Sequence, residues 1–283
     1  MSPPETSTRG GRLRATAAVL PAVIPVVLVV GVGGLTTLLQ SLGLMPLVGR
    51  PDLSTAAFTA PGSTVMTSAA LSVAVSAAST TIAVVVGLTA ALAVLAGGRG
   101  VLTAGALTIP VPHVVGAATT GLLLSDAGVL PRWLGVHHGW PQLVGGPWWV
   151  AVVTEYAWKE SAFVALVVVA ATAARAADLG AAAATLGAGR GQRLRRVTLP
   201  LAAPALTAAG GIVFVYTLGS YEVALLLGRP SPEPLAVGAV RLSRSVDLAT
   251  RPEAAALAVL TTGIGLLVVV AVVAALRRLT AWR

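Results

Sequence analysis

The sequence predicts an all-α fold, a polytopic transmembrane helical bundle of six spans with N-terminus and C-terminus both inside (N-in, C-in). Three observations predict it. Hydrophobic residues fill 56% of the 283 positions and charged residues only 10%, with a mean hydropathy of +0.88, which lies outside the range of a domain that folds in water. The apolar residues gather into stretches long enough for a hydrocarbon core of about 30 Å, which takes roughly 20 residues of helix to cross. The net charge of +9 is carried by arginines between those stretches, and in so apolar a chain their placement marks topology rather than nucleic-acid binding.

Taken in order, the first stretch (17–40) follows Arg9, Arg12 and Arg14. It is longer than the roughly 7 to 15 apolar residues of a cleaved leader, so it reads as a retained span behind a basic cytoplasmic tail, residues 1–16. The remaining spans are expected at 66–96, 101–124, 147–173, 202–228 and 254–276, and residues 17–283 form one membrane domain. With the N-terminus inside, Arg99, Arg175, Arg190, Arg193, Arg195, Arg196, Arg277, Arg278 and Arg283 join the tail arginines in the cytoplasm. Arg50, Arg132, Arg229, Arg241, Arg244 and Arg251 face outward, a split of twelve to six that sets the orientation. Segments 46–62, 126–147 and 228–253 are rich in proline and glycine and read as external loops with short surface helices. Trp133, Trp140, Trp148 and Trp149 cluster at the third-to-fourth connection, as expected of rings anchored among lipid headgroups.

Several chemistries find no support. The chain has no cysteine, which excludes disulfides and thiolate metal sites, and His113, His137 and His138 lack the spacing of a metal motif. No nucleophile and base stand at a recognisable interval, so an enzyme is not expected. A loop that cradles nucleotide phosphates ends in Gly-Lys-Ser or Gly-Lys-Thr; here the single lysine, Lys159, lies between Trp158 and Glu160 inside a span. The glycine-rich stretches at 97–100 and 187–191 lack both lysine and spacing. The chain is therefore expected to bind no cofactor, and an ATP-driven version would need its nucleotide on a partner subunit.

Polar residues inside spans are the candidate substrate contacts, because an ionised group near the bilayer centre costs at least about 2.5 to 3.5 kcal/mol and must face protein or water. Glu155 and Lys159 stand four apart on one helical face, acid first, and are expected to neutralise one another. Glu160 is rotated by about 100° from Lys159 and has no partner on its own helix, which makes it the better path residue. Glu222 follows Gly219, Ser220 and Tyr221 near the outer end of span five, where acid and ring together suit a cation; the plainer alternative pairs Glu222 with Arg229 or Arg241. His113 reads as a polar packing residue beside Pro112, and His137 and His138 as solvated loop residues.

The segment 174–200 has more structure than a connector requires. "AADLGAAAATLGA" favours helix, with Asp178 near its start, and Gly187 can supply a left-handed stop. "RGQRLRRV" then forms a second short helix with Leu194 and Val197 near one face and Arg190 and Arg193 beside it, and Pro200 falls where the next helix begins. The predicted outline is helix, turn, helix, span.

That stretch resembles the EAA loop of permease subunits of ATP-driven (ABC) importers, in which Glu-Ala-Ala precedes a glycine and, nine residues on, a branched apolar residue and a Leu-Pro step. Ala182, Ala183, Gly187, Val197, Leu199 and Pro200 stand at the family's intervals, whereas the glutamate position is Ala181. Stretches such as "IPVPHVVGA", "YAWKESAFVALVVVAA" and "LGSYEVALLLGRPSPEPLAVGAVRLSRSVDLATRPEAAALAV" are similar to the spermidine/putrescine-like branch, over roughly residues 65 to 276. The resemblance implies a type I importer permease fold and alternating access. It implies three kinds of partner besides membrane lipid: a cytoplasmic ATP-binding subunit gripping the loop, a second permease chain, identical or different, and an external substrate-binding protein. A small cation such as a polyamine is the substrate class that the branch implies. The reading from another class is an ion-gradient-driven carrier that relays protons through Glu155, Lys159, Glu160 and His113; it predicts transport by the chain alone.

Overall fold

A computed structural model describes residues 9–59, 63–136 and 138–281. Among them six helices are long and apolar enough to cross a membrane, and every regular element is helical: α1 (Arg9–Ser41), α2 (Ala56–Thr59), α3 (Ser63–Leu95), α4 (Arg99–Thr108), α5 (His113–Leu124), α6 (Val129–Trp133), α7 (Val150–Thr185), α8 (Arg190–Arg193), a π-helical turn (Leu194–Thr198), α9 (Leu199–Gly219), α10 (Glu222–Leu227), α11 (Leu235–Ser243), a 3₁₀ turn (Leu248–Thr250) and α12 (Arg251–Ala281). Expected spans one, two and six correspond to α1, α3 and α12 with their ends moved by a few residues.

Spans three, four and five depart from expectation in informative ways. Span three is broken: Pro110 and Pro112 remove two backbone donors within three residues and separate α4 from α5. The membrane-crossing stretch starts at His113 and continues through α6 to Trp133. Span four runs on without interruption to Thr185, so the alanine-rich segment is a continuation of α7 and not a separate helix. Alanine is the best helix former, and one glycine, Gly180, costs about 1 kcal/mol at most, too little to stop so long a run. Span five begins at Arg190, because the π turn joins α8 directly to α9, and it ends at Ser220, whose extended backbone separates α9 from α10.

The bundle has two cores. Ala83 and Ala91 of α3, Val164 and Val168 of α7, and Ala202, Ala209 and Val213 of α9 pack together at one end. Small residues let these helices approach closely, the usual device where lipid competes for apolar surface. At the other end Val152 and Tyr156 of α7 pack with Ala117 and Leu124 of α5, Val223 and Leu227 of α10, and Trp149. Trp149 corrects one expectation: its side chain is only 4% exposed and plugs this core, while Trp133 and Trp148, at 81% and 84%, are the ones free to meet lipid headgroups. Trp140 donates its indole N–H to the Leu124 carbonyl at 2.9 Å, tying the loop to the end of α5.

Candidate functional site

The break between α4 and α5 places His113 at the first position of α5, beside the early turns of α7. Its Nδ1 lies 3.1 Å from Oε1 of Glu155, and its Nε2 lies 3.2 Å from Oε1 of Glu160. A ring with a carboxylate at each nitrogen makes two donating hydrogen bonds only as imidazolium. His113 is therefore a bridge between two acids of α7, more than the packing residue its neighbouring proline suggested. Tyr216 of α9 closes the cluster, with ring centroids 5.0 Å apart, and Tyr156 lies beneath at 6.1 Å.

Lys159 corrects a second expectation. It does not pair with Glu155. Its ammonium donates to the carbonyl of Thr108 at 3.0 Å and to that of Val111, the carbonyls that the proline break leaves without helical donors. Glu155 is fully buried and spends its charge on His113. A tertiary break, invisible to helix-face reasoning, has redistributed the partners.

Glu160 is partly exposed, with a side chain at 12%. It shares an open face with His113 and with Tyr216, which is exposed, and farther along lie Ser220, Tyr221 and Glu222. Glu222 is exposed at the start of α10. The pairing with Arg241 is not made, because that guanidinium donates bidentately to Glu233, an acid the sequence reading passed over. The Glu233 carboxylate holds the Arg241 pKa above its ordinary value. Tyr221 instead carries the Arg244 guanidinium over its ring, 5.9 Å from the centroid. His138 is exposed in its loop, and His137 lies outside the described residues.

The 174–200 segment forms a projecting knob. Gly187 adopts φ +80°, where only glycine is at ease. Its N–H reaches the Ala184 carbonyl and the N–H of Ala188 reaches that of Ala183, each at 3.0 Å, the double bond of a Schellman stop. Ala182 is exposed and Ala183 half-buried just before it. The next short helix is closed by Gln192, whose Oε1 accepts from the Gly189 N–H at 3.2 Å. Leu199 bonds back to Leu194 across the wider π turn, which delivers the chain to Pro200, a residue with no N–H to give. Leu194 and Val197 face different hollows: Leu194 shares one with Arg190 and Arg193, and Val197 shares another with Arg175 and Pro200. Leu199 is half-buried. At the tip, Leu186 is 88% exposed; sequence reasoning missed it, although an apolar residue just before a stop glycine was the available signal.

Against this geometry the comparisons are decisive. The family model described as "Binding-protein-dependent transport system inner membrane component" matches residues 106–281. The chain belongs to that family. As an inner membrane component of a binding-protein-dependent importer it is a multi-pass, non-enzymatic permease subunit of an ABC transporter. A solved structure described as a bacterial ABC transporter involved in the import of the acidic polysaccharide alginate superposes on this permease with a TM-score of 0.71, at 20% identity, over 94% of this chain and 96% of that one. That likeness shows the fold. No curated protein matches the permease significantly in sequence.

Proposed function

We propose that this permease forms half of a translocation path driven by a cytoplasmic ATP-binding subunit that grips the knob between Ala182 and Pro200. The observation that carries the reading is the continuity of α7. One unbroken helix bears Glu155, Lys159 and Glu160 near its start and ends at the Gly187 stop. From Glu160 to Thr185 it is about 38 Å long at 1.5 Å per residue. A push on the knob is thus carried rigidly to the polar cluster, where the α4–α5 break supplies a joint.

In this reading both chain ends and the knob lie in the cytoplasm, as the arginine distribution requires. Exposed Leu186 enters the partner's groove, with Arg190 and Arg193 behind it. The path runs along Glu160, Tyr216, Tyr221 and Glu222. Lys159 is turned away to backbone carbonyls, so the exposed ionisable groups of α7 and α10 on this face are acids, which favours a small cation of the polyamine type. A second permease chain completes the path, an external binding protein delivers the solute, and ATP is bound by the partner.

Reconstitution tests it. Vesicles holding this chain, the second permease chain, the ATP-binding partner and the binding protein are expected to take up solute only with ATP inside. Uptake by the chain alone, driven by a proton gradient, would establish the carrier alternative instead. Because the chain has no cysteine, Leu186→Cys gives a single crosslinking site, expected to capture the ATP-binding subunit.

A further inference from the structure

α7 continues beyond the end of α3, and the chain after Gly187 folds back beneath the gap. The three elements enclose a cavity of about 390 Å³. Its walls are apolar, with Leu92 and Leu95 from α3 and Ala173 and Ala177 from α7, and its mouth carries Arg190 and Arg193. The Nε of Arg193 is buried and has no hydrogen-bond partner. Neither arginine is ion-paired among the described residues, and Asp178, the one acid of the knob, does not line the cavity. A guanidinium whose donor is buried unmet costs free energy until an acceptor arrives.

We propose that this cavity binds the headgroup of an anionic phospholipid, with an acyl chain lying along the Leu92, Leu95, Ala173 and Ala177 wall. Three arguments select that ligand. The apolar stretch of α3 that ends at Leu95 has 31 residues, about 46 Å of helix, so it outlasts a core of about 30 Å and carries Leu92, Leu95 and the neighbouring arginines into the headgroup layer. The site is cationic at its mouth and oily behind, a chemistry shared by amphipathic anions and not by free phosphate. The cavity also lies between the knob and the bundle, whereas a protein partner meets the knob on its outer side, at Leu186. The bound lipid ties the knob to α3 and α7, so the anionic lipid content of the membrane tunes how stiffly the knob is held. This inference rests on the reading that the ATP-binding subunit meets the knob at Leu186, and the two fail separately: lipid retention reports the cavity, the Leu186→Cys crosslink the docking.

The test is native mass spectrometry of the full-length chain titrated with palmitoyl-oleoyl phosphatidylglycerol, its phosphatidylcholine counterpart, or glycerol phosphate without acyl chains. Each arginine near an anionic lipid supplies roughly fivefold in affinity. Arg190→Ala with Arg193→Ala is therefore expected to weaken phosphatidylglycerol about thirtyfold, toward the phosphatidylcholine level, while the double lysine replacement keeps most of it and Arg195→Ala changes nothing. Ala177→Phe, which fills the groove and spares the arginines, is expected to abolish retention; an unchanged thermal unfolding midpoint confirms that both variants fold. Equal retention of the two lipids, an unaffected double alanine variant, displacement by glycerol phosphate alone, or capture of the ATP-binding partner by a crosslinker on Arg193→Cys each overturn the proposal.

Discussion

Lys159 shows how much a single residue settles when its partners come from another helix. Its ammonium donates to two carbonyls at the α4–α5 break. Replacing it with methionine keeps the volume but removes both bonds, leaving the Thr108 carbonyl with only the Val111 N–H at 3.2 Å and the Val111 carbonyl without its ammonium donor. Lys159→Met is expected to lower stability by about 1 to 3 kcal/mol, read as a drop in the thermal or detergent unfolding midpoint. Glu160→Gln tests function at the same scale: it removes one acid of the His113 bridge, so uptake of a cationic solute should fall at least about tenfold, while the amide keeps a polar contact to the ring and the unfolding midpoint falls less than in Lys159→Met. The residue types were legible in the sequence, because ionisable groups inside apolar runs are rare and stand out. Their pairing was not. Helix-face geometry sees only neighbours three and four apart, and it assigned Glu155 to Lys159 when the acid's partner lies 42 positions away at His113.

Among elements, the spans were legible because length and hydropathy decide them, whereas their interruptions were only partly so. Hydropathy runs span three straight through 101–124, yet Pro110 and Pro112 break it, and Lys159 supplies a donor to the Val111 carbonyl at the break from outside. Nothing local distinguishes the alanine run after Arg175 from a separate helix. Its continuity with α7 follows from the absence of any stop before Gly187. α3 and α7 cross closely at Gly87, where an added Cβ would stand 2.6 Å from Cβ of Val164 and 2.7 Å from the Ser161 carbonyl oxygen. Neither atom belongs to a flexible side-chain end, so the helices themselves must separate. Gly87→Ala is expected to cost about 1 to 3 kcal/mol, and Gly87→Leu to prevent accumulation of folded protein in membranes, measured by fluorescence-detected size-exclusion chromatography.

For the whole molecule, the decisive relation is between the polar cluster at one end of α7 and the Gly187 stop at the other, since transport requires that motion at the knob reach the path. The turn is the point where that relation can be cut without touching the fold. Gly187 holds φ +80° in open space, with no atom near a prospective Cβ, so substitution there strains the backbone and disturbs no packing. A side chain in the left-handed region costs about 1 to 2 kcal/mol, more for a branched one, and the turn relieves it by unwinding and swinging α8 out of line. Gly187→Val should therefore leave the unfolding midpoint and membrane insertion close to wild type while solute-stimulated ATP hydrolysis by the assembled importer falls at least about tenfold. Gly187→Asn, whose side chain tolerates the left-handed region, should recover much of the loss. If valine at this position left coupling intact, the end of α7 would not be the lever that joins hydrolysis to transport, and the force would have to enter the bundle through another element.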